Sequence, residues 1–81
     1  MTEYRCTRPD SYPPNSIGAT NPGARQGHYY KAATVEVAVR NFFAHHPSDE
    51  RVDVQEYDEE NGILAAPVRF VRGINGSALR V

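Results

Sequence analysis

The sequence predicts an α+β fold: one amphipathic helix packed on a small, mostly antiparallel sheet. The order is strand, long loop, strand, helix, strand, strand, with Ser77–Val81 offering a fifth short strand. Three observations carry this reading. Val35, Ala38, Val39, Phe42 and Phe43 recur at helical spacing and form one apolar stripe. Short segments on either side of that stripe alternate with period two. Two Asn-Gly pairs, Asn61-Gly62 and Asn75-Gly76, carry the strongest short hairpin signal. A lone helix with an apolar stripe needs a sheet to cover it.

Each element has its own justification. In Thr2–Thr7, Tyr4 and Cys6 share one face, and Glu3, Arg5 and Thr7 the other. Residues 8–25 hold four of the six prolines, interleaved with Asn and Gly. Proline removes a donor and fixes φ, so this stretch suits neither helix nor strand. A connection this long is either functional or loosely ordered, and the expectation is a loosely packed arm. In Gln26–Ala33, His28, Tyr30 and Ala32 alternate with Tyr29, Lys31 and Ala33. Thr34 is a good N-cap, Glu36 complements the helix dipole, and Pro47 stops the helix near His45. In Arg51–Asp58, Val52 and Val54 face away from Asp53, Gln55 and Tyr57. Ile63–Arg72 returns from a two-residue turn at Asn61-Gly62, with Pro67 marking an edge or a bulge.

At 81 residues the chain is one domain, 1–81, with a small core. No apolar run is long enough to span a membrane, and no secretory signal opens the chain, so the expected location is the cytoplasm. One cysteine excludes an internal disulfide and a Cys-rich zinc site. The net charge of −1 hides a polarity: residues 34–62 are acidic, and the segments before and after them are basic. Eight of the nine basic residues are Arg, whose planar fork suits carboxylates, phosphates and aromatic faces.

Chemical motifs are tested and mostly fail. Gly18–Arg25 has the glycine spacing of a phosphate loop but lacks the following Lys and Ser/Thr. Asp58–Gly62 misses the calcium-loop pattern, because Ile63 stands where Gly is needed and Arg69 where Glu is needed. Adjacent His45 and His46 diverge on a helix and do not chelate one ion together. Cys6 falls in a strand and reads as a core residue, and no serine has a nucleophile-elbow context. Asn75-Gly76-Ser77 matches the glycosylation sequon only incidentally. The sequence therefore predicts no enzyme, no cofactor and no metal site.

What remains is a small protein-interaction module: an adaptor, an inhibitor or a subunit of a larger complex. The acids of residues 49–60 read as uniformly exposed, and Asp53, Glu56, Asp58, Glu59 and Glu60 form an expected acidic partner face. Tyr12, Ile17 and Arg25 are the expected contacts of the arm. The alternative is a nucleic-acid-associated module using Tyr29, Lys31, Arg69, Arg72 and Arg80, with Arg69 and Arg72 otherwise pairing across strands with Glu56 or Asp58. Self-assembly through exposed sheet edges is a third outcome.

Overall fold

A computed structural model describes all 81 residues. The strands are β1 (Thr2–Thr7), β2 (His28–Ala32), β3 (Arg51–Asp58), β4 (Gly62–Ile63), β5 (Val68–Arg72) and β6 (Ala78–Arg80), with one helix, α1 (Val35–His45). They form a single sheet of order β2-β1-β3-β5-β6, with β4 beside the far end of β3. Every pairing is antiparallel. Both β2 and β3 run antiparallel to β1, so they are parallel to each other. Parallel strands need a crossover, and α1 supplies it on one face of the sheet. This is the α+β arrangement read from the helical stripe.

The helix forms where its local signals place it. Thr34 is extended, and its Oγ1 accepts the Val37 N–H at 3.3 Å. The last turn closes with the His46 N–H on the Phe42 carbonyl at 2.9 Å, one residue before Pro47. Ala38, Val39, Phe42 and Phe43 are buried against Tyr4, Cys6, Ala32, Val52, Val54 and Phe70. Each fully buried large apolar side chain contributes roughly 1.5–3 kcal/mol. This ten-residue cluster is the apolar core, and it lies entirely on the helix side of the sheet.

The other face follows a different logic. Register puts Arg5 beside Gln55, Thr7 beside Asp53, and Asp53 beside Arg69, so the alternate residues of three strands make a polar layer. Residues 8–25 cover it. The expected loose arm is in fact three single-turn 3-10 helices, Pro9–Ser11, Ile17–Ala19 and Pro22–Ala24. The physical reason lies in the hydrogen-bond balance. A proline-rich loop presents carbonyls without a matching set of N–H donors, and arginine offers five donors and no acceptor. Arg25 donates to the Gly18 carbonyl, to the Ala19 carbonyl at 3.1 Å, to Thr7 Oγ1 at 3.2 Å and to Asp53 Oδ2 at 2.7 Å. Arg5 donates to the Pro22 carbonyl at 2.8 Å and to the Arg25 carbonyl. No buried side-chain nitrogen or oxygen is left without a partner. The fold is thus three layers: helix, sheet and arm.

Two turns and one strand differ from the sequence reading. At the first Asn-Gly, only Gly62 has positive φ, at 75°, and the loop has three residues, Glu59 to Asn61. Asp58 takes control of it, accepting the Glu60 and Asn61 backbone N–H groups at 2.7 and 3.1 Å. This side-chain cap competes successfully with the two-residue turn. The second Asn-Gly does form the tighter turn, with positive φ at both Asn75 (59°) and Gly76 (74°). The expected strand Ile63–Arg72 is broken between β4 and β5 at Leu64–Pro67, where Pro67 lacks a ladder donor.

Candidate functional site

The residues expected to form one acidic face are not together. Asp53 is only 5 % exposed and lies under the arm, bonded to Arg25 and, through both oxygens, to Arg69 at 2.8 and 3.0 Å. Burial alone would raise its pKa, but the Arg69 and Arg25 hydrogen bonds outweigh that effect and hold the carboxyl below its ordinary value. The expectation of uniform exposure is therefore wrong at Asp53. Alternation explains why: Asp53 shares the arm face with Arg5 and Thr7. Asp58 is half-buried in the hairpin cap, and its hydrogen bonds from Asn61 and the Glu60 amide lower its pKa. Glu56, Glu59 and Glu60 are exposed.

The expected arm contacts are also mostly spoken for. Arg25 is 5 % exposed and acts as the arm's internal anchor. The Tyr12 ring lies over Gly18, and its hydroxyl accepts the Gln26 N–H at 2.8 Å. Ile17, 73 % exposed, is the one member of that trio facing outward.

The Arg/Tyr set divides between the two faces. Tyr29, Lys31 and Arg69 share the arm side through their pairing with Arg5, Glu3 and Asp53. Arg72 and Arg80 share the helix side with Phe70, Arg80 directly across from it. Arg69 pairs with Asp53 instead of Glu56 or Asp58. Arg72 caps the end of α1, donating to the Phe43, His46 and Asp49 carbonyls at 3.3, 2.8 and 3.0 Å, with its guanidinium 4.6 Å from the Phe43 ring centre. A cation there complements the negative end of the helix dipole.

A consistent division of labour follows. Arg5, Arg8, Arg25, Arg51, Arg69 and Arg72 are all committed to internal partners. All four Asp residues accept internal hydrogen bonds: Asp10 from Arg51, Asp49 from Arg8, Asp53 from Arg25 and Arg69, and Asp58 from its own turn. None of the six Glu side chains has an ion pair or a hydrogen bond, and Lys31, Arg40 and Arg80 are the only free basic side chains. Free charge on the surface is therefore acidic, although the chain is nearly neutral.

Some of that charge gathers at the end of the sheet where β3 turns into β4. Register places Glu3 opposite both Tyr57 and Lys31. The Tyr29 and Tyr57 rings lie across β1 with centroids 4.7 Å apart. Glu3, Glu59 and these two tyrosines line one shallow depression, and Glu56 and Asp58 line its neighbour with Glu3 and Glu59. The Tyr57 phenol is raised above its ordinary value by partial desolvation, by Tyr29, and by the Glu3 and Glu59 charges. Sequence reading missed Glu3 and Tyr57 as members of this corner. Their alternation was visible, but only the β1–β3 register brings them beside Glu59.

The histidines form a separate cluster under the end of α1. His46 stacks on Phe42 at 4.5 Å between ring centres and meets the His28 edge at 4.7 Å. Desolvation, and for His46 the neighbouring His28, lowers the pKa of both rings, with the Arg8 charge adding to it. Tyr30 Oη and His45 Nδ1 are 3.1 Å apart. No three His, Cys, Asp or Glu side chains converge on a common point for a metal ion. Cys6 is fully buried, which pushes its thiol up to about 12. No helix is long and apolar enough to cross a membrane. The chain matches no protein-family model, no curated protein and no solved structure.

Proposed function

We propose that this protein is a small non-enzymatic interaction module, an adaptor, inhibitor or complex subunit, that docks its acidic, tyrosine-bearing corner on a basic protein surface. The observation that carries this reading is the segregation of charge: the aspartates and six arginines are used up inside the fold, and the glutamates are left free. Glu3, Glu56 and Glu59 line the depressions that hold Tyr29 and Tyr57, Glu60 follows Glu59 on the exposed hairpin tip, and Lys31 is the one free basic side chain among the lining residues. Carboxylates steer a basic partner and set its association rate. Exposed tyrosines offer rigid area and cation–π contact to arriving arginines. Asp53, Arg25 and Tyr12 drop out of the contact set, because each is engaged within the fold.

The test is a tagged capture from nuclease-treated source lysate, comparing the parent with Glu3→Lys/Glu59→Lys/Glu60→Lys. Asp58 is left alone because it caps the hairpin. A stoichiometric partner should be held by the parent, lost from the triple variant, and released as salt rises. Equal retention by the variant at low salt would refute the acidic corner. Recovery of nucleic acid alone, when nuclease is omitted, would move the reading to Lys31 and Arg80.

A further inference from the structure

A second concavity lies on the opposite, helix side of the sheet, and it has a different chemistry. Its volume is 260 Å³. Tyr4, Val54, Val68 and Phe70 form its apolar floor, continuous with the core. Val35, at the start of α1, forms one wall, and Ala65 and Ala66 of the β4–β5 break form another. Two charged groups stand among the lining residues, the Glu56 carboxylate and the Arg80 guanidinium. Neither forms an ion pair with the other, and neither has any other side-chain partner in the molecule.

The wall has a cause. Pro67 ends the ladder, the chain leaves the sheet, and Gln55 holds the departing loop by donating to the Ala65 carbonyl at 3.2 Å. A continuous strand there would carry side chains across the opening. The two alanines leave it open instead.

We propose that this cavity binds a free hydrophobic α-amino acid, its side chain on the Tyr4–Phe70 floor, its ammonium on Glu56 and its carboxylate on Arg80. The volume lies just under the roughly 300–1,000 Å³ of pockets for drug-sized ligands, so it suits one side chain and excludes a nucleotide. The floor rewards an apolar group and not a sugar or phosphate. The rim carries one charge of each sign, left apart and unpartnered, which is the charge pattern of a zwitterion in reverse. A fatty acid or an amine alone would leave one of the two without a mate. The site is independent of the acidic corner except that Glu56 borders both.

Amide chemical-shift titration of the full chain with L-phenylalanine, N-acetyl-L-phenylalanine, L-phenylalaninamide and glycine tests this. L-phenylalanine should give saturable shifts at Val35, Ala65, Ala66 and Phe70, with Kd near or below about 1 mM. Glycine, with no side chain to bury, should give none. The acetylated and amidated ligands should each bind roughly ten-fold or more weakly, since each loses a charge-assisted hydrogen bond. Arg80→Gln should weaken L-phenylalanine by a similar factor and leave the amide unchanged; Glu56→Gln should weaken it and leave the acetylated ligand unchanged. Both side chains are exposed, so both variants fold. Absence of saturable shifts up to about 10 mM, well above the expected range, overturns the proposal. Equal binding of either blocked ligand overturns it as well. The Glu3/Glu59/Glu60 variant should bind L-phenylalanine normally, so failure of one site is readable apart from failure of the other.

Discussion

Replacing Asp53 with Asn tests whether the arm is held by a buried charge pair. Asp53 and Arg25 have side chains only 7 % and 1 % exposed, and they meet at 2.7 Å. Asn keeps the shape but removes the charge, leaving the Arg25 guanidinium buried without a counter-ion. Breaking a buried pair this way costs about 3–5 kcal/mol. A chain of this length has a total stability of about 4–12 kcal/mol at 0.05–0.15 kcal/mol per residue. Asp53→Asn should therefore remove about a quarter or more of the stability. With a urea slope near 1 kcal/mol/M, the unfolding midpoint should fall by about 3 M or more. Arg25→Met is the contrasting variant, because Asp53 keeps its two-point pairing with Arg69. It should detach the arm more than it unfolds the sheet, with fast hydrogen exchange at the Ala19, Asn21 and Arg25 amides, which bond within the arm. The pair also sets acid sensitivity. The Asp53 carboxyl titrates below its unfolded value, so its contribution is complete above about pH 5 and is lost as pH falls through the lowered value. Parent stability should ease down below about pH 6.5, where the lowered His28 and His46 rings bind protons less readily than in the unfolded chain, and drop further below about 4, where Asp53→Asn should remove the Asp53 share of the loss. A loss below about 1 kcal/mol in Asp53→Asn would refute the reasoning and mean that Arg25 is solvated or held by carbonyls alone.

Other perturbations probe separate parts of the fold. Cys6 is fully buried with its thiol pushed up to about 12, so thiol reagents at neutral pH should label it only at the rate of opening of the core, and the labelling rate should rise with urea. Thr34→Ala removes the cap on the Val37 N–H and should cost about 1 kcal/mol in urea unfolding, with little change in slope. Gly76→Ala forces a side chain onto φ 74° and should cost about 1 kcal/mol, while Gly23→Ala, at negative φ on an exposed turn, should cost less.

The helix side of this molecule was legible because one physical effect dominates it. Apolar residues at i, i+3 and i+4 in α1, and at alternate positions in β1 and β3, can only be buried together, so Val35–His45 and Arg51–Asp58 fall where the pattern puts them. The arm side was not legible for the opposite reason. Its cohesion comes from arginine reaching carbonyls 6 to 20 residues away, and no short-range periodicity marks which arginine will do so. The Pro/Gly content of residues 8–25 does exclude helix and strand, but it says nothing about whether a buried Asp-Arg pair waits beneath. The first Asn-Gly turn failed on a local competition, because the Asp58 side chain, three residues before Asn61, satisfies the turn amides in a longer loop.

The same cause accounts for the redistribution of the candidate site residues. Sequence reading weighs an ionisable residue by its charge, but in a domain this small the charge can be consumed as scaffold. Aspartate and arginine suit that use: the short Asp carboxylate is held close to its own backbone, and the Arg fork binds two oxygens at once, as Arg69 does on Asp53. Glutamate has one more rotatable bond, so fixing it costs more side-chain entropy, and here none of the six is fixed by an internal ion pair or hydrogen bond. It follows that Asp53→Glu should destabilise the fold, although charge is conserved, by crowding the Arg25 and Thr7 contacts. Glu59→Asp on the hairpin tip should leave stability unchanged. A surface estimated from net charge would be almost neutral; a surface estimated from the charges left after the internal pairs are removed is acidic around Tyr29 and Tyr57. That difference is the physical basis for looking for a basic partner at that corner.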